Sequence, residues 1–129
     1  DLLEPYFEAE IRDKKAIYRR GEPILFRTRY RGMLVNGFFN NEIMPPYGQV
    51  FTDSKTSIWS WAPDTLEDMY PSTKGRLNGY INFQTSWSSN IIPYDAPIGK
   101  YRVFMRVYNH IGIGNRPIIA QKEDTFIVE

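Results

Sequence analysis

Polar and apolar residues alternate with a period of two along much of the chain, which is the pattern of β-strands with one buried face. The segment 23–31 is the clearest example. Its arginines occupy odd-numbered positions, and the even-numbered positions are Ile24, Phe26, Thr28 and Tyr30. We therefore predict a strand there, with the even-numbered side chains buried and the arginines on the opposite face.

Residues 100–108 repeat this alternation. The side chains predicted to point inward are Tyr101, Val103, Met105 and Val107. Those predicted to point outward are Arg102, Phe104, Arg106 and Tyr108. The inward set, together with Phe26, is the predicted core.

Shorter strand candidates, rich in β-branched and aromatic residues, lie at 7–11, 33–39, 49–52, 56–61, 77–83 and 124–128. Turn sequences separate them, and residues 40–48 read as a long loop. Only 63–70 predicts a helix, because Pro63 suits a first turn and acidic residues follow it. The expected fold is all-β: an antiparallel two-sheet β-sandwich with one short helix in a long middle connection.

A chain of 129 residues predicts one domain, 1–129, and its 42% hydrophobic and 24% charged residues are typical of a globular protein. The net charge of +1 argues against a nucleic-acid binder. No cysteine is present, which excludes disulfides and a thiolate nucleophile. No apolar run is long enough to span a bilayer. Because the chain begins at Asp1, we expect a processed form or excised domain whose N-terminal signal or anchor is missing.

Residues suited to catalysis are few. His110 is the single histidine, it follows a predicted strand, and no nucleophile-elbow sequence accompanies it. Asp64, Glu67 and Asp68 fall on one side of the predicted helix, where acids near a helix start already have a structural reason. We therefore expect no enzyme, no catalytic residue, no metal site and no cofactor.

Two groups of residues are candidates for binding. The first is the outward row Arg102, Phe104, Arg106 and Tyr108, which would form one basic face with Arg27, Arg29 and Arg31 if their strands share a sheet. The second is Trp59 and Trp61, which are two residues apart and would share one face of a strand as a platform for a sugar ring, with Trp87 as a third member. Each candidate has a competing structural interpretation. The arginines could be solvated outer residues with glutamate partners, and one of the tryptophans could be a buried core residue.

Two segments resemble a known class of domains. Residues 18–26, YRRGEPILF, resemble the start of the second strand in Ig-like and macroglobulin-type extracellular domains. Residues 92–103, IPYDAPIGKYRV, are similar to the corner of those domains where a glycine turn leads into a late central strand whose tyrosine caps the core. The second segment is also similar to the last strands of fibronectin-like sensor domains of bacterial receptors. The resemblance implies an Ig-like sandwich and says little about activity.

The expected function is that of a non-catalytic extracytoplasmic binding domain, membrane-anchored only through the missing N-terminal segment. It would contact a protein or another cell-surface component, as part of an envelope structure or a receptor ectodomain. A homodimer through the outward face of 100–108 or the strand 124–128 is a further expectation. The alternative is a carbohydrate-binding module that uses surface tryptophans.

Overall fold

The computed structural model of the protein describes residues 3–46 and 76–129. Within these residues the protein is all-β and contains no helix. Its five strands are β1 (Tyr6–Ile11), β2 (Pro23–Met44), β3 (Leu77–Ile91), β4 (Gly99–Tyr108) and β5 (Ile118–Val128). The expectation of an all-β antiparallel fold is confirmed for this part of the chain.

The 22-residue strand β2 organises the sheet because different parts of it pair with different partners. Residues 26–31 pair with β1, and residues 23–37 pair with β3. Residues 38–44 pair with β4, which in turn pairs with β5. Every one of these pairings is antiparallel, and the sheet curls along β2. Side chains that face the inside of the curl form the core, and we call the opposite side the outer face.

A bulge in the middle of β2 exchanges the two faces of the strand. Before it, even-numbered residues such as Leu34 are buried. After it, Ile43 is buried and Glu42 is on the outer face, where it accepts a hydrogen bond from Arg106; Phe38, directly after the bulge, is also buried. Asn36 has a left-handed backbone with φ 48°, and the register with β3 shifts between Leu34 and Gly37. A Cβ atom at Gly37 would lie 2.6 Å from Leu34 Cδ1, so glycine is the residue that fits.

The core lies inside the curl and confirms the predicted inward faces of the two strongest strands. Phe26 is 1% exposed, and all four inward residues of β4 are fully buried: Tyr101, Val103, Met105 and Val107. The main cluster contains Phe26, Tyr101, Val103 and Met105. It joins them to residues of β1, β2 and β5: Ala9, Ile11, Ile24, Ile43, Phe126 and Val128. A smaller cluster of Tyr30, Leu34 and Val107 lies near the bulge, with Leu77 and Ile81 of β3 packed against it.

The C-terminal end of β5 is not an open edge. Tyr18, from the connection between β1 and β2, forms a parallel bridge with Val128. The Tyr18 amide donates to the Ile127 carbonyl at 2.8 Å, and the Glu129 amide donates to the Tyr18 carbonyl at 3.0 Å. The end of the strand 124–128, one of the two surfaces expected to form a homodimer, therefore already has a backbone partner within the chain.

Several predicted boundaries change. The strand predicted at 77–83 continues to Ile91, and the strand predicted at 124–128 begins at Ile118. The loop predicted at 40–48 was wrong for residues 40–44, which belong to β2 because they pair with β4. The helix predicted at 63–70 and the strands predicted at 49–52 and 56–61 lie outside the described residues.

Candidate binding surfaces

The four outward residues predicted on β4 lie together on the outer face, and we call them the β4 surface: Arg102, Phe104, Arg106 and Tyr108. The ring of Phe104 lies between two guanidinium groups. The Cζ atoms of Arg102 and Arg106 are 5.0 and 4.8 Å from its centroid. Both are within cation–π range, so the three side chains form one stack.

Glutamates on the neighbouring strands neutralise the charges of this stack. Arg102 donates two hydrogen bonds to Glu123 of β5, at 2.9 and 3.1 Å. Arg106 donates to Glu42 of β2 at 2.6 Å and to Gln121 of β5 at 2.9 Å. The hydrogen bond from Arg102 lowers the pKa of Glu123, and the same contact raises the pKa of Arg102. The β4 surface is therefore a rigid ion-paired layer with little free charge.

Tyr108 closes the β4 surface at the end of the strand. Its ring stacks on Phe38 with centroids 5.0 Å apart and an interplanar angle of 9°. Its hydroxyl accepts a hydrogen bond from Arg106 at 3.1 Å. Because Phe38 is buried, Tyr108 connects the outer layer to the body of the protein.

A second set of aromatic and charged side chains covers the outer face where β1, β2 and β3 lie side by side. The register places Tyr6, Glu8 and Glu10 of β1 opposite three arginines of β2. On the other side of these arginines, Phe83, Thr85 and Trp87 of β3 form a third row. We call the three rows the β2 surface: Tyr6, Glu8, Glu10, Arg27, Arg29, Arg31, Phe83, Thr85 and Trp87.

The two groups of arginines thus lie along different parts of β2. Arg27, Arg29 and Arg31 lie between β1 and β3. The part of β2 that pairs with β4 is residues 38–44. The two strands share one sheet, which was the condition for the expected basic face. The two groups of arginines are nevertheless separated along β2, because β4 lies beside β2 only beyond the bulge. Each group has its own aromatic partner instead.

Phe83 has the same relation to two arginines on the β2 surface as Phe104 has on the β4 surface, although Phe83 lies on the neighbouring strand β3. The Cζ atoms of Arg29 and Arg31 are 4.6 and 4.3 Å from its ring centroid. The ring of Tyr6 meets Phe83 edge-on at 5.4 Å. Phe83 reaches this position through a bulge in β3, where its backbone has φ 80° and the register shifts.

Charge is not balanced on the β2 surface. Arg27 binds Glu8 at 2.6 Å and Glu10 at 2.9 Å. Among the described residues, Arg29 and Arg31 have no carboxylate oxygen within 4.0 Å, although Arg29 lies opposite Glu8. A hydrogen bond from Tyr6, and then the charge of Arg27, lower the pKa of Glu8. Two guanidinium groups on this surface therefore keep their charge without a carboxylate partner in the described part of the chain.

The tryptophans fall into two groups. Trp59 and Trp61 lie outside the described residues, so their predicted platform stays a prediction. Trp87 lies on the outer side of β3 and is 54% exposed, with the Cζ of Arg27 5.7 Å from its ring. Trp87 is therefore a surface residue.

His110 lies just after β4, as the sequence indicated. Its amide donates to the Val35 carbonyl at 3.0 Å, and its ring contacts the guanidinium of Arg76. It borders a cleft of about 440 Å³ whose other lining residues include Asn36 and Ile111. In the described ranges no three histidine, cysteine or acidic side chains come close enough together to hold a metal ion.

No protein-family model matches the chain, and none of the curated proteins matches it either. Residues 3–46 and 76–129 contain no helix that is long and apolar enough to cross a bilayer. The surfaces described above are therefore interpreted from their own geometry.

Acidification is expected to destabilise the protein partly through its glutamate pairs. Hydrogen bonds from Tyr6, Lys15 and Arg102 lower the pKa values of Glu8, Glu22 and Glu123, respectively, in the folded state. A lowered folded-state pKa means that the unfolded chain binds more protons than the folded protein in this pH range. The stabilisation from these glutamate pairs is therefore present above the ordinary glutamate pKa of about 4.3 and is lost as the pH falls below it.

Urea unfolding midpoints at pH 6 and pH 3 measure this effect, and Glu123→Gln should show a smaller difference between the two than the parent. Glu4→Gln is the control, since Glu4 is exposed and makes no ion pair among the described residues. Equal pH dependence in all three proteins would contradict the stabilising role of the Arg102–Glu123 pair.

Proposed function

We propose that the chain is a non-catalytic binding domain that contacts a protein or another component of the cell surface through the outer faces of its curled sheet. The carrying observation is that each outer face holds an aromatic ring between two guanidinium groups. Arginine and aromatic side chains are the types enriched at the centres of binding interfaces. The four arginines and Phe104 lie on segments of β2 and β4 that are paired on both sides, and this fixed backbone lowers the entropy cost of binding.

The proposal includes the finer fold, an Ig-like two-sheet β-sandwich in which β1, β2 and β3 pack against β2, β4 and β5. One contact supports it in particular. The hydroxyl of the buried Tyr101 donates to the Pro97 carbonyl at 2.6 Å, four residues upstream. Ig-like sandwiches have a tyrosine corner of this kind, in which a tyrosine hydroxyl bonds back to the preceding backbone.

An extracytoplasmic location, with membrane attachment through an N-terminal segment, is part of the same proposal. It rests on the resemblance of residues 18–26 and 92–103 to extracellular domains. In the structure, Tyr18 is buried, Gly21 has φ 85° and the Arg19 amide donates to Glu22 at 2.8 Å. These contacts support the resemblance, because they make the first segment a fixed turn that leads into β2.

A carbohydrate-binding module is the second candidate, favoured by the exposed ring of Trp87. An exposed aromatic ring on a flat sheet presents its negatively charged face to the C–H bonds of a sugar. Trp87 thereby supplies one aromatic platform without Trp59 and Trp61.

Binding of the labelled, purified protein to the isolated cell envelope of its source organism tests the proposal. We expect saturable binding that falls about tenfold or more in the double variant Phe83→Ser, Phe104→Ser, because both ring stacks are lost. Ile113→Ser is the matched control, since Ile113 is fully exposed in the connection between β4 and β5. Absence of saturable binding, or equal binding by both variants at equal melting temperature, would refute the proposal.

A further inference from the structure

We infer that the β2 surface binds an acidic polysaccharide, with Arg29 and Arg31 holding its anionic groups and the rings of Phe83 and Trp87 contacting its sugars. This inference rests on the proposed binding function and names the ligand class and the face that takes it. Three observations lead to it: the charge balance of the two surfaces, the exposure of the rings, and the mixture of polar groups around them.

The charge balance distinguishes the two outer faces. On the β4 surface both arginines are paired with glutamates at 2.6–3.1 Å. On the β2 surface the Phe83 ring is within cation–π range of Arg29 and Arg31. No carboxylate oxygen of the described residues lies within 4.0 Å of either guanidinium, although the charge of Arg29 contributes to the lowered pKa of Glu8 opposite it. A guanidinium that is already oriented, and not yet paired with a carboxylate, is suited to two parallel hydrogen bonds with a carboxylate or sulfate group.

Exposed aromatic rings lie beside these arginines. Phe83 is 38% exposed and Trp87 is 54% exposed, and both are on the outer side of β3. They are four residues apart, which corresponds to roughly 13 Å along a strand. Two rings at this separation, with cationic groups between β3 and β1, provide contacts for a chain of sugars that lies along the sheet.

The acidic residues on β1, Glu8 and Glu10, favour an acidic polysaccharide over the other polyanions. Glu8 and Glu10 lie opposite Arg29 and Arg27, and the phosphates of a nucleic acid backbone, which accept but do not donate hydrogen bonds, cannot pair with these carboxylates. The same carboxylates can accept hydrogen bonds from hydroxyl groups. A polyuronate, whose sugars carry free hydroxyl groups beside each carboxylate, therefore matches the mixture of arginines and carboxylates on this surface. The net charge of +1 agrees, since it provides no general attraction for polyanions.

Binding to polygalacturonate, measured by isothermal titration calorimetry at 150 mM salt, tests this assignment. We expect the double variant Arg29→Gln, Arg31→Gln to lose about tenfold or more in affinity, since each guanidinium supplies charge-assisted hydrogen bonds. The matched control is Arg102→Gln, Arg106→Gln, which removes the same two charges from the ion-paired surface and should change the affinity less than about threefold.

A variant that keeps the charge separates sugar recognition from general polyanion attraction. Trp87→Ala is expected to weaken polygalacturonate binding about threefold or more, because a ring contact is lost. Tyr94→Ala, which removes an 80% exposed ring outside both surfaces, should leave it unchanged. Neutral dextran, polyglutamate and single-stranded DNA are tested in parallel, and each should bind more weakly than polygalacturonate.

The outcomes separate this inference from the proposed function. The polysaccharide site is overturned if the protein binds the envelope but not polygalacturonate. It is also overturned if both arginine variants weaken polygalacturonate binding equally. Either result leaves the proposed binding function standing. Preferential binding of polyglutamate or DNA overturns the ligand class. If the protein binds polygalacturonate through Arg29, Arg31 and Trp87 but does not bind the envelope, the polysaccharide site is supported and a cell-surface role is refuted.

Discussion

Val103→Asp is expected to abolish cooperative folding. Val103 is fully buried in β4, between Ile43 of β2 and Asp124 of β5 in the register of the sheet. The new carboxylate would lie across from Asp124, whose charge is already paired with Lys14 at 3.0 Å. Burying an unpaired charge costs several kcal/mol, which is comparable to the whole stability of a small domain. Far-UV circular dichroism during a thermal scan would show no cooperative transition.

The same substitution at an exposed valine is the control for this prediction. Val35 belongs to β2 and is 49% exposed, so Val35→Asp should retain a cooperative transition close to that of the parent. If Val103→Asp melted like the parent, the inward face of β4 would be misassigned by one residue. That result would also move Arg102 and Arg106 from the outer face into the core.

The alternation of polar and apolar residues was sufficient to predict the faces of β4 and of residues 23–31 of β2. A strand with one buried face has only two registers, and only one of them buries Phe26 and Val103 instead of arginines. The outward direction of Arg102, Phe104, Arg106 and Tyr108 follows from the same choice. This is why these residues could be predicted to share a surface before their neighbours were known.

The partners of these residues could not be predicted, because strand pairing depends on contacts between distant parts of the chain. Nothing local to Arg102 indicates that Glu123 lies beside it, or that Arg106 reaches Glu42. The neutrality of the β4 surface is therefore a property of the fold. In the same way, a bulge brings Phe83 between Arg29 and Arg31, and no sequence pattern places it there.

The bulge at Asn36–Gly37 explains how one strand serves both surfaces. It reverses which residues of β2 face outward, so Arg29 is on the outer side before it and Glu42 is on the outer side after it. Without this change of parity, Ile43 would point outward and Glu42 into the core. The Asn-Gly pair was recognisable as a turn or bulge, but only the continuous pairing of β2 shows that the strand passes through it.

Phe126→Ala is expected to cost about 3–5 kcal/mol of unfolding free energy, the range for removing a buried aromatic side chain. Phe126 of β5 is 1% exposed. Its ring stacks on Tyr101 with centroids 5.2 Å apart and meets Tyr18 edge-on at 6.1 Å. The ring thus joins β4, β5 and the connection that bridges Val128, and its loss leaves a cavity against all three.

The size of this loss separates the role of Phe126 from that of an outer aromatic residue. Phe126→Leu keeps most of the volume and should lose less than half as much stability in urea unfolding. Phe83→Ala, on the outer face, should lose about 1 kcal/mol or less, since its ring is 38% exposed. If Phe126→Ala were no more destabilising than Phe83→Ala, the ring would not bridge the two tyrosines. The curl of the sheet would then have to be held closed by other contacts, such as the backbone bonds of Tyr18 and the Lys14–Asp124 ion pair.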